Sequence, residues 1–301
     1  MKKIVITGGS GFFGTFLIKE LLAENPNYHV VVMDLIEPKV NNDRVSFFKH
    51  NLLDSFGGKD CSLLESPFAY FHLSGKNIFG SFTEKHKKEI YDTRIIGTRN
   101  LLNLFTEEKY KPQKLIAASA VGYYGSQPVN VINESSSIGT SFLAQVVDDW
   151  EHEVHKGRDM NISTHCIRNA HIIGQGGILS VVSSYASYGF GAILGNGKSH
   201  FPWIDILDLC HIYMTFLQEG NHPLIINGVS GTSDTHADFG KAVGRAKKVL
   251  FNIHIPRLLL RVKFGSFADE MLVDQRVSTQ YEDFSPVRYT NLIERINHYL
   301  K

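Results

Sequence analysis

The stretch Ile4-Val5-Ile6-Thr7-Gly8-Gly9-Ser10-Gly11-Phe12-Phe13-Gly14 decides the fold. Three consecutive apolar residues read as a strand buried on both faces, because a half-exposed strand would alternate. Phe13, Leu17, Ile18, Leu21 and Leu22 then recur at helical spacing until Asn25-Pro26-Asn27 stops the helix. Glycines at 8, 11 and 14 are a weak signal alone. Between a buried strand and an amphipathic helix they form the turn that a dinucleotide pyrophosphate needs. The first glycine permits the tight turn, the second brings backbone to the phosphates, and the third lets helix pack on strand. Free N–H groups at the helix start would face the phosphates. Gly8, Ser10, Gly11, Phe12, Phe13 and Gly14 are therefore the first cofactor-binding candidates.

The run Val30-Val31-Val32-Met33 reads as a second buried strand and ends at Asp34. A carboxylate there accepts the adenosine ribose hydroxyls and suits NAD. Against the extra phosphate of NADP it would repel by ~1 kcal/mol at ~4 Å in water, and ~4 at an effective dielectric of ~20. Further strands are expected at Val45–Phe48, Phe68–Leu73, Leu115–Ala118 and His165–Ile167, with helices over 84–106 and 140–156. Apolar strands separated by helices predict an α/β protein with a Rossmann-type, doubly wound parallel sheet. After about 174 the rhythm loosens and glycines cluster at 174, 176, 177, 189, 191, 195 and 197. The expected organisation is a dinucleotide-binding domain over 1–173. A smaller α+β substrate-side region over 174–301 shares its body.

The 301 residues are 43% hydrophobic, enough for a sizeable core and against wholesale disorder. Lys plus Arg number 31 and Asp plus Glu 30, so no basic field exists to hold a nucleic acid. Cys61, Cys166 and Cys210 form no CxxC, and the fourteen histidines show no metal-pair spacing, so no metal is expected. No apolar run approaches the ~18 residues of a membrane span, and none resembles a signal peptide. A reduced, cytoplasmic setting without a membrane partner is expected.

Several segments extend the pattern beyond the glycine turn. They are His72-Leu73-Ser74-Gly75, Gly97-Thr98-Arg99-Asn100-Leu101-Leu102, Ser119-Ala120-Val121-Gly122-Tyr123-Tyr124-Gly125 and Trp203-Ile204-Asp205-Ile206-Leu207-Asp208. Ser141-Phe142-Leu143-Ala144, Trp150-Glu151, Gly174-Gln175-Gly176-Gly177 and Ala268-Asp269-Glu270-Met271-Leu272 add to them. Over essentially its whole length the chain resembles the extended and atypical short-chain dehydrogenase/reductase superfamily. Within it, the chain is similar to the epimerase-family, nucleoside-diphosphate-sugar-epimerase-like subgroup.

That resemblance implies an NAD(P)-dependent epimerase or oxidoreductase acting on a small polar, nucleotide-linked substrate. It also implies a homodimer through the helices around 84–106 and 140–156. Leu73, Ser74 and Gly75 join the cofactor candidates. Asn51 stands where extended members place an Asp near the adenine, and Leu52 follows it. The catalytic residues of the superfamily do not carry over. Its Ser/Thr position falls on Ala120, with Ser119 one place earlier. Its Tyr-x-x-x-Lys pair falls on Phe142 and Val146, and its Asn on Arg94. Phenylalanine and valine cannot move a proton, so Ser119, Tyr123, Tyr124 and Arg94 become the catalytic candidates, with Glu134 behind them. Related atypical proteins commonly show Thr-Arg after the second strand, suited to NADP, where this chain has Met33-Asp34.

Two functions stay open: an enzyme whose proton chemistry uses other groups, and a non-catalytic dinucleotide-responsive binding protein. A ligand-free domain would leave the glycine turn unexplained. Among other positions, Arg168 could clamp a phosphate or salt-bridge the sheet, and Lys198, His200 and Trp203 could meet a nucleotide or line a solvated loop. Asp208 is expected to cap the helix through Ile212 and Phe216. Arg257 to Lys263 is expected to pack on the body as an amphipathic helix.

Overall fold

The computed structural model describes residues 1–186, 189–284 and 286–301, and omits the side chains of residues 128 and 129. The first half runs β1 (Lys2–Thr7), α1 (Phe12–Glu24), β2 (Tyr28–Asp34), β3 (Val45–Lys49), β4 (Ala69–His72), α2 (Glu84–Leu104), β5 (Lys114–Ala120), β6 (Gln127–Ile132), α3 (Phe142–His155) and β7 (Ser163–Asn169). The rest is β8 (His171–Ile173), α4 (Gly177–Ala186), β9 (Phe190–Leu194), β10 (Trp203–Asp205), α5 (Ile206–Thr215), β11 (Ile225–Gly228), α6 (His236–Ala246), β12 (Phe251–Ile255), α7 (Arg257–Phe264), α8 (Phe267–Glu270), β13 (Gln275–Val277) and α9 (Leu292–Leu300).

Seven strands form one parallel sheet in the order β11-β7-β5-β4-β1-β2-β3. The apolar runs have no exposed face because both sides are covered. Val5, Val31, Tyr70 and Leu115 pack against Ile95 and Leu101 of α2 and Val146 and Trp150 of α3. Ile4, Ile6, Val30 and Phe71 pack on the other side against Leu17 and Leu21 of α1 and Leu209 and Tyr213 of α5. A third core joins Trp203, Phe201, Phe239 and Ile296 under α6 and α9. No helix among the described residues is long and apolar enough to cross a membrane.

Helix α1 sits unusually close to the sheet. A Cβ on Gly14 would lie 2.6 Å from the Gly9 Cα, backbone against backbone. Gly8 adopts φ +73°, and a Cβ there would lie 2.9 Å from the Ser74 backbone. Chain order reverses beside β1: β2 and β3 lie on one side and β4 on the other. Register brings the carboxyl ends Thr7, Asp34 and His72 to one edge, where a crevice opens.

The parallel α/β sheet matches the sequence expectation, and four details differ from it. The seventh strand β11 was not anticipated: it is only four residues long, ends in Asn227-Gly228, and pairs along β7 from Ile225 opposite Cys166. Asp205, not Asp208, caps α5, accepting the Leu207 N–H at 2.9 Å. Asp208 instead accepts the Arg288 and Tyr289 N–H groups at 3.1 and 2.9 Å, tying down the C-terminal segment. Helix α7 packs on the body through Leu260 and the Phe264 ring against Phe79, but leaves Leu258, Leu259 and Val262 exposed.

Three buried histidines make the fold acid-sensitive. His72 is wedged between the Thr7 and Thr98 hydroxyls at 2.7 and 2.9 Å, and burial, with Arg94 adding to it, pulls its pKa to about 4. Burial likewise takes His165 and His236 to about 4. A depressed pKa means the unfolded chain binds the proton first as pH falls. Stability is therefore complete above the ordinary value of 6.5 and is lost as pH falls toward about 4, at about 1.4 kcal/mol for each pKa unit of difference. Urea denaturation across that window should show a midpoint that drops steadily. A flat profile would mean these rings titrate alike folded and unfolded.

Candidate functional site

The crevice at the carboxyl ends of β1, β2 and β4 is a cleft of about 630 Å³. Its walls include Gly8, Ser10, Gly11, Asp34, Asn51, Leu52, Leu73, Ser74 and Gly75, so nine of the twelve expected cofactor positions come together there. The other three sit behind it. Phe13 and Gly14 are buried in α1, and the Phe12 ring packs over the loop at Gly176 and Gly177, where a Cβ would meet it at 2.5 and 2.8 Å. Only the main chain of these three can serve a ligand.

The cleft fits a dinucleotide on two grounds. Helix α1 starts at Gly11 with no side-chain cap, whereas α2, α3, α5, α6 and α9 are capped by Thr83, Ser141, Asp205, Thr235 and Asn291. Its first N–H groups are thus left for an external acceptor, at the end of the helix that favours an anion. The glycines keep that approach open, since a Cβ at Gly8 would strike Ser74. Asp34 stands at the end of β2 with its carboxylate held by the Ser10 N–H at 3.0 Å and the Leu35 N–H at 2.7 Å. Each oxygen keeps a lone pair for a further donor. The Asn51 side chain accepts the Leu53 N–H at 3.1 Å.

Leu73 and Gly75 also belong to an inner cavity of about 400 Å³. Leu143, Val146, Val147 and Trp150 of α3 and Met271 give it apolar walls. Ser119, Arg94, Glu270, His171 and His236 bring polarity. Phe142 points away, its ring 5.8 Å from Phe82. Glu270 comes from α8, accepts the Ser141 hydroxyl at 3.2 Å and is also bonded by the Leu143 main chain. Burial pushes its carboxyl up despite those bonds. A third cavity of about 1070 Å³ adjoins the inner one through Glu270 and Val273 and is bounded by Ser141, Asn196 and Arg257.

The expected catalytic residues separate. Ser119 lies on the inner cavity, but its hydroxyl donates to Glu151 at 2.5 Å. Arg94 lies there too, and it is not the cation beside the tyrosines; that is Arg168. Arg168 forms a two-point ion pair with Glu151 at 2.8 and 2.6 Å and donates to the Tyr124 hydroxyl at 2.9 Å. It also lies 3.5 Å from the centre of the Tyr123 ring. Tyr124 is fully buried and donates to Asn227 at 2.7 Å. Burial takes its pKa to about 12, against the opposing pull of Arg168. Tyr123 is not among the residues lining the inner cavity. Glu134 is spent on the Asn227 and Gln280 N–H groups and the Thr279 hydroxyl.

Three further readings resolve plainly. Arg168 is committed to a salt bridge that ties the sheet to Glu151 of α3, and to Tyr124. His200 pairs with Asp274 at 2.7 Å, Lys198 is exposed, and Trp203 is a core residue whose indole N–H reaches Asp234 at 2.8 Å. Glu270 escaped the sequence reading as a site residue, because Ala268–Leu272 carried only a resemblance and no spacing linked it to Ser141.

Residues 4–227 match the family described as NAD dependent epimerase/dehydratase. Among curated relatives, the epimerase family protein ML0860 of Mycobacterium leprae is 30% identical, covering 91% of this chain and 87% of that protein. The epimerase family protein YfhF of Bacillus subtilis is 27% identical over 95% of this chain and 93% of its own. Human epimerase family protein SDR39U1, solved with NADPH, superposes with a TM-score of 0.82 at 22% identity over 99% of both chains. UDP-glucose 4-epimerase of Thermotoga maritima, solved with UDP-glucose, gives 0.80 at 18% identity over 99% of this chain and 97% of that one. Those two likenesses are likenesses of fold. With three quarters of its length matched, this chain belongs to the NAD dependent epimerase/dehydratase family.

Proposed function

We propose that the protein is an NAD-dependent oxidoreductase or epimerase whose cofactor lies in the outer cleft and whose small polar substrate lies in the inner cavity. Residues 1–173 hold the cofactor and 174–301 supply much of the substrate side. The observation that carries this reading is the convergence of the glycine turn, the uncapped α1 and Asp34 on one crevice at the strand ends. Relatives bearing the epimerase name support it.

When bound, the cofactor supplies the site that accepts and returns a hydride. The chain positions it with backbone N–H groups at Gly11–Phe13 and the carboxylate of Asp34. The proton has to go to a side chain. Phe142 and Val146 cannot take it, and Tyr124 is too basic and too committed. Glu270 faces the inner and third cavities, has no cation partner among the described residues, and its carboxyl is pushed up by burial. It is the group best suited to acid/base work. The dry wall of Leu143, Val146 and Trp150 keeps water from competing. Phe142 and Val146 also favour a second reading, a binding protein that holds the cofactor without turning it over.

Asp34→Ala should weaken NAD by tenfold or more, because hydrogen bonds to a charged group contribute about 1.5–3 kcal/mol. It should also narrow the preference for NAD over NADP. Fluorescence titration with both cofactors reads this, and unchanged affinity for both would remove Asp34 from the site.

Glu270→Gln should lower turnover about 10²- to 10⁴-fold and abolish the acid limb of the pH–rate profile, with NAD affinity retained. Tyr123→Phe and Tyr124→Phe should keep turnover. The assay is a panel of alcohols, ketones and nucleotide sugars. Loss of activity in Tyr123→Phe instead would return the proton to that tyrosine. No turnover of any panel member, with NAD still bound, would favour the binding-protein reading.

A further inference from the structure

Arg94 is a cation of the inner cavity without a counter-ion. Its Nη1 donates to the Lys76 and Ile90 carbonyls at 3.0 and 3.2 Å, and its guanidinium lies 5.2 Å from the Trp150 ring centre. Nε and Nη2 make no hydrogen bond among the described residues, and no acidic side chain there pairs with Arg94. Arg94 is half-buried, and two arginines withdrawn further from water both have a counter-ion. Arg168 has Glu151 at 2.6 Å and Arg295 has Asp205 at 2.6 Å. A guanidinium taken from water is costly unless an anion meets it. Burial, with nothing opposing it, pulls Arg94 down to about 10.

The surroundings say what kind of anion would fit. A Cβ on Gly75 would crowd the Arg94 guanidinium at 3.0–3.2 Å, so glycine there gives the fork room at the mouth shared by the two cavities. Arg94 lines the inner cavity and not the outer cleft. His236, on the same walls, is held neutral near pH 7 by burial, and the His171 ring is stacked on Phe201 at 4.4 Å. One free cation therefore serves a volume of about 400 Å³ with mostly apolar walls, the size of a small-ligand site. A diphosphate would need more positive charge. Arg257, in the neighbouring cavity, already shares Asp269 with Arg261, at 2.7 and 2.8 Å.

We propose that the inner cavity binds a small organic acid whose single carboxylate pairs with the Arg94 fork, and not a nucleoside-diphosphate sugar. This rests on the reading of the inner cavity as the substrate site. Arg94 holds the carboxylate through Nε and Nη2, in the planar two-point geometry that guanidinium and carboxylate share. The apolar walls take the carbon skeleton. Glu270 then sits on the same cavity as the group left for a hydroxyl or carbonyl of the acid.

The test compares phenylpyruvate with its carboxamide, which has the same shape without the charge, by calorimetric titration of the full chain. Titrations run without cofactor and again with saturating NAD, with UDP-glucose as a third probe. The acid should bind at least about tenfold tighter than the amide, a difference of about 1.4 kcal/mol. Arg94→Met should erase that difference while leaving NAD affinity unchanged, and Arg94→Lys should restore part of it. Equal affinity for acid and amide, or no binding of either, overturns the proposal. So does discrimination that survives in Arg94→Met, loss of NAD affinity in that variant, or UDP-glucose binding tighter than the acid. Should Arg94→Met fail to fold, the wild-type and Arg94→Lys comparisons still decide. Failure of wild-type chain to bind NAD or NADP would sink the cofactor reading alone, because the cofactor-free acid–amide comparison stands apart from it.

Discussion

The ion pair between Arg168 and Glu151 is the interaction on which the rest of the molecule leans. Both side chains are almost wholly withdrawn from water, at 2% and 6% exposure. Removing one partner of such a pair strands a charge, at about 3–5 kcal/mol. The pair is the centre of a longer chain of bonds. Glu151 on α3 takes the Ser119 hydroxyl at the end of β5, and Arg168 on β7 takes Tyr124. Tyr124 reaches Asn227 on β11, and Asn227 reaches Glu134 and the Ser278 carbonyl. A helix, three sheet strands and the C-terminal segment are thereby fixed to one another. That satisfaction makes the network rigid. It also takes Ser119, Tyr124 and Glu134 out of circulation as reagents.

The cleft depends on a different constraint, the approach of backbone to backbone at Gly9 and Gly14. Helix α1 can start directly over the strand ends only because neither residue has a side chain. Its open N–H groups then point into the crevice created where chain order reverses beside β1. The polar network and the glycine contact thus work on opposite sides of β4. One locks the inner cavity's far wall; the other opens the near one.

Much of this was legible in the sequence because it depends on local pattern. Apolar runs without alternation can only be strands covered on both faces, so β1, β2, β4 and β5 were readable. The glycine spacing and Asp34 placed the outer cleft. Strand β11 was not readable: four residues ending in Asn-Gly look like a turn, and only pairing with β7 makes them a strand. The cap of α5 was misplaced for a related reason. Asp205 and Asp208 are three residues apart, and nothing local says that the second is needed by Arg288 and Tyr289, some eighty residues later. The cation beside the tyrosines was not readable either. Arg94 and Arg168 are both arginines near the strand ends, and only the fold shows that one is paired and the other is not.

That difference between the two arginines bears on what the cleft retains where the family pattern's tyrosine and lysine are absent. With Val146 in the lysine's place and Phe142 turned toward Phe82, α3 presents Leu143, Val146, Val147 and Trp150 as an apolar wall, and a drier wall raises the cost of any charge left beside it. Arg168 is protected from that cost by Glu151; Arg94 and Glu270 are not. The same dryness pushes the Glu270 carboxyl up and the Arg94 guanidinium down. Each is thereby brought nearer the state in which a ligand's hydroxyl or carboxylate would complete it. In the proposed reading the lost pair is therefore not replaced in position. Its work is divided between a carboxyl from α8 and a guanidinium from α2, and the apolar substitutions on α3 are what make those two groups responsive.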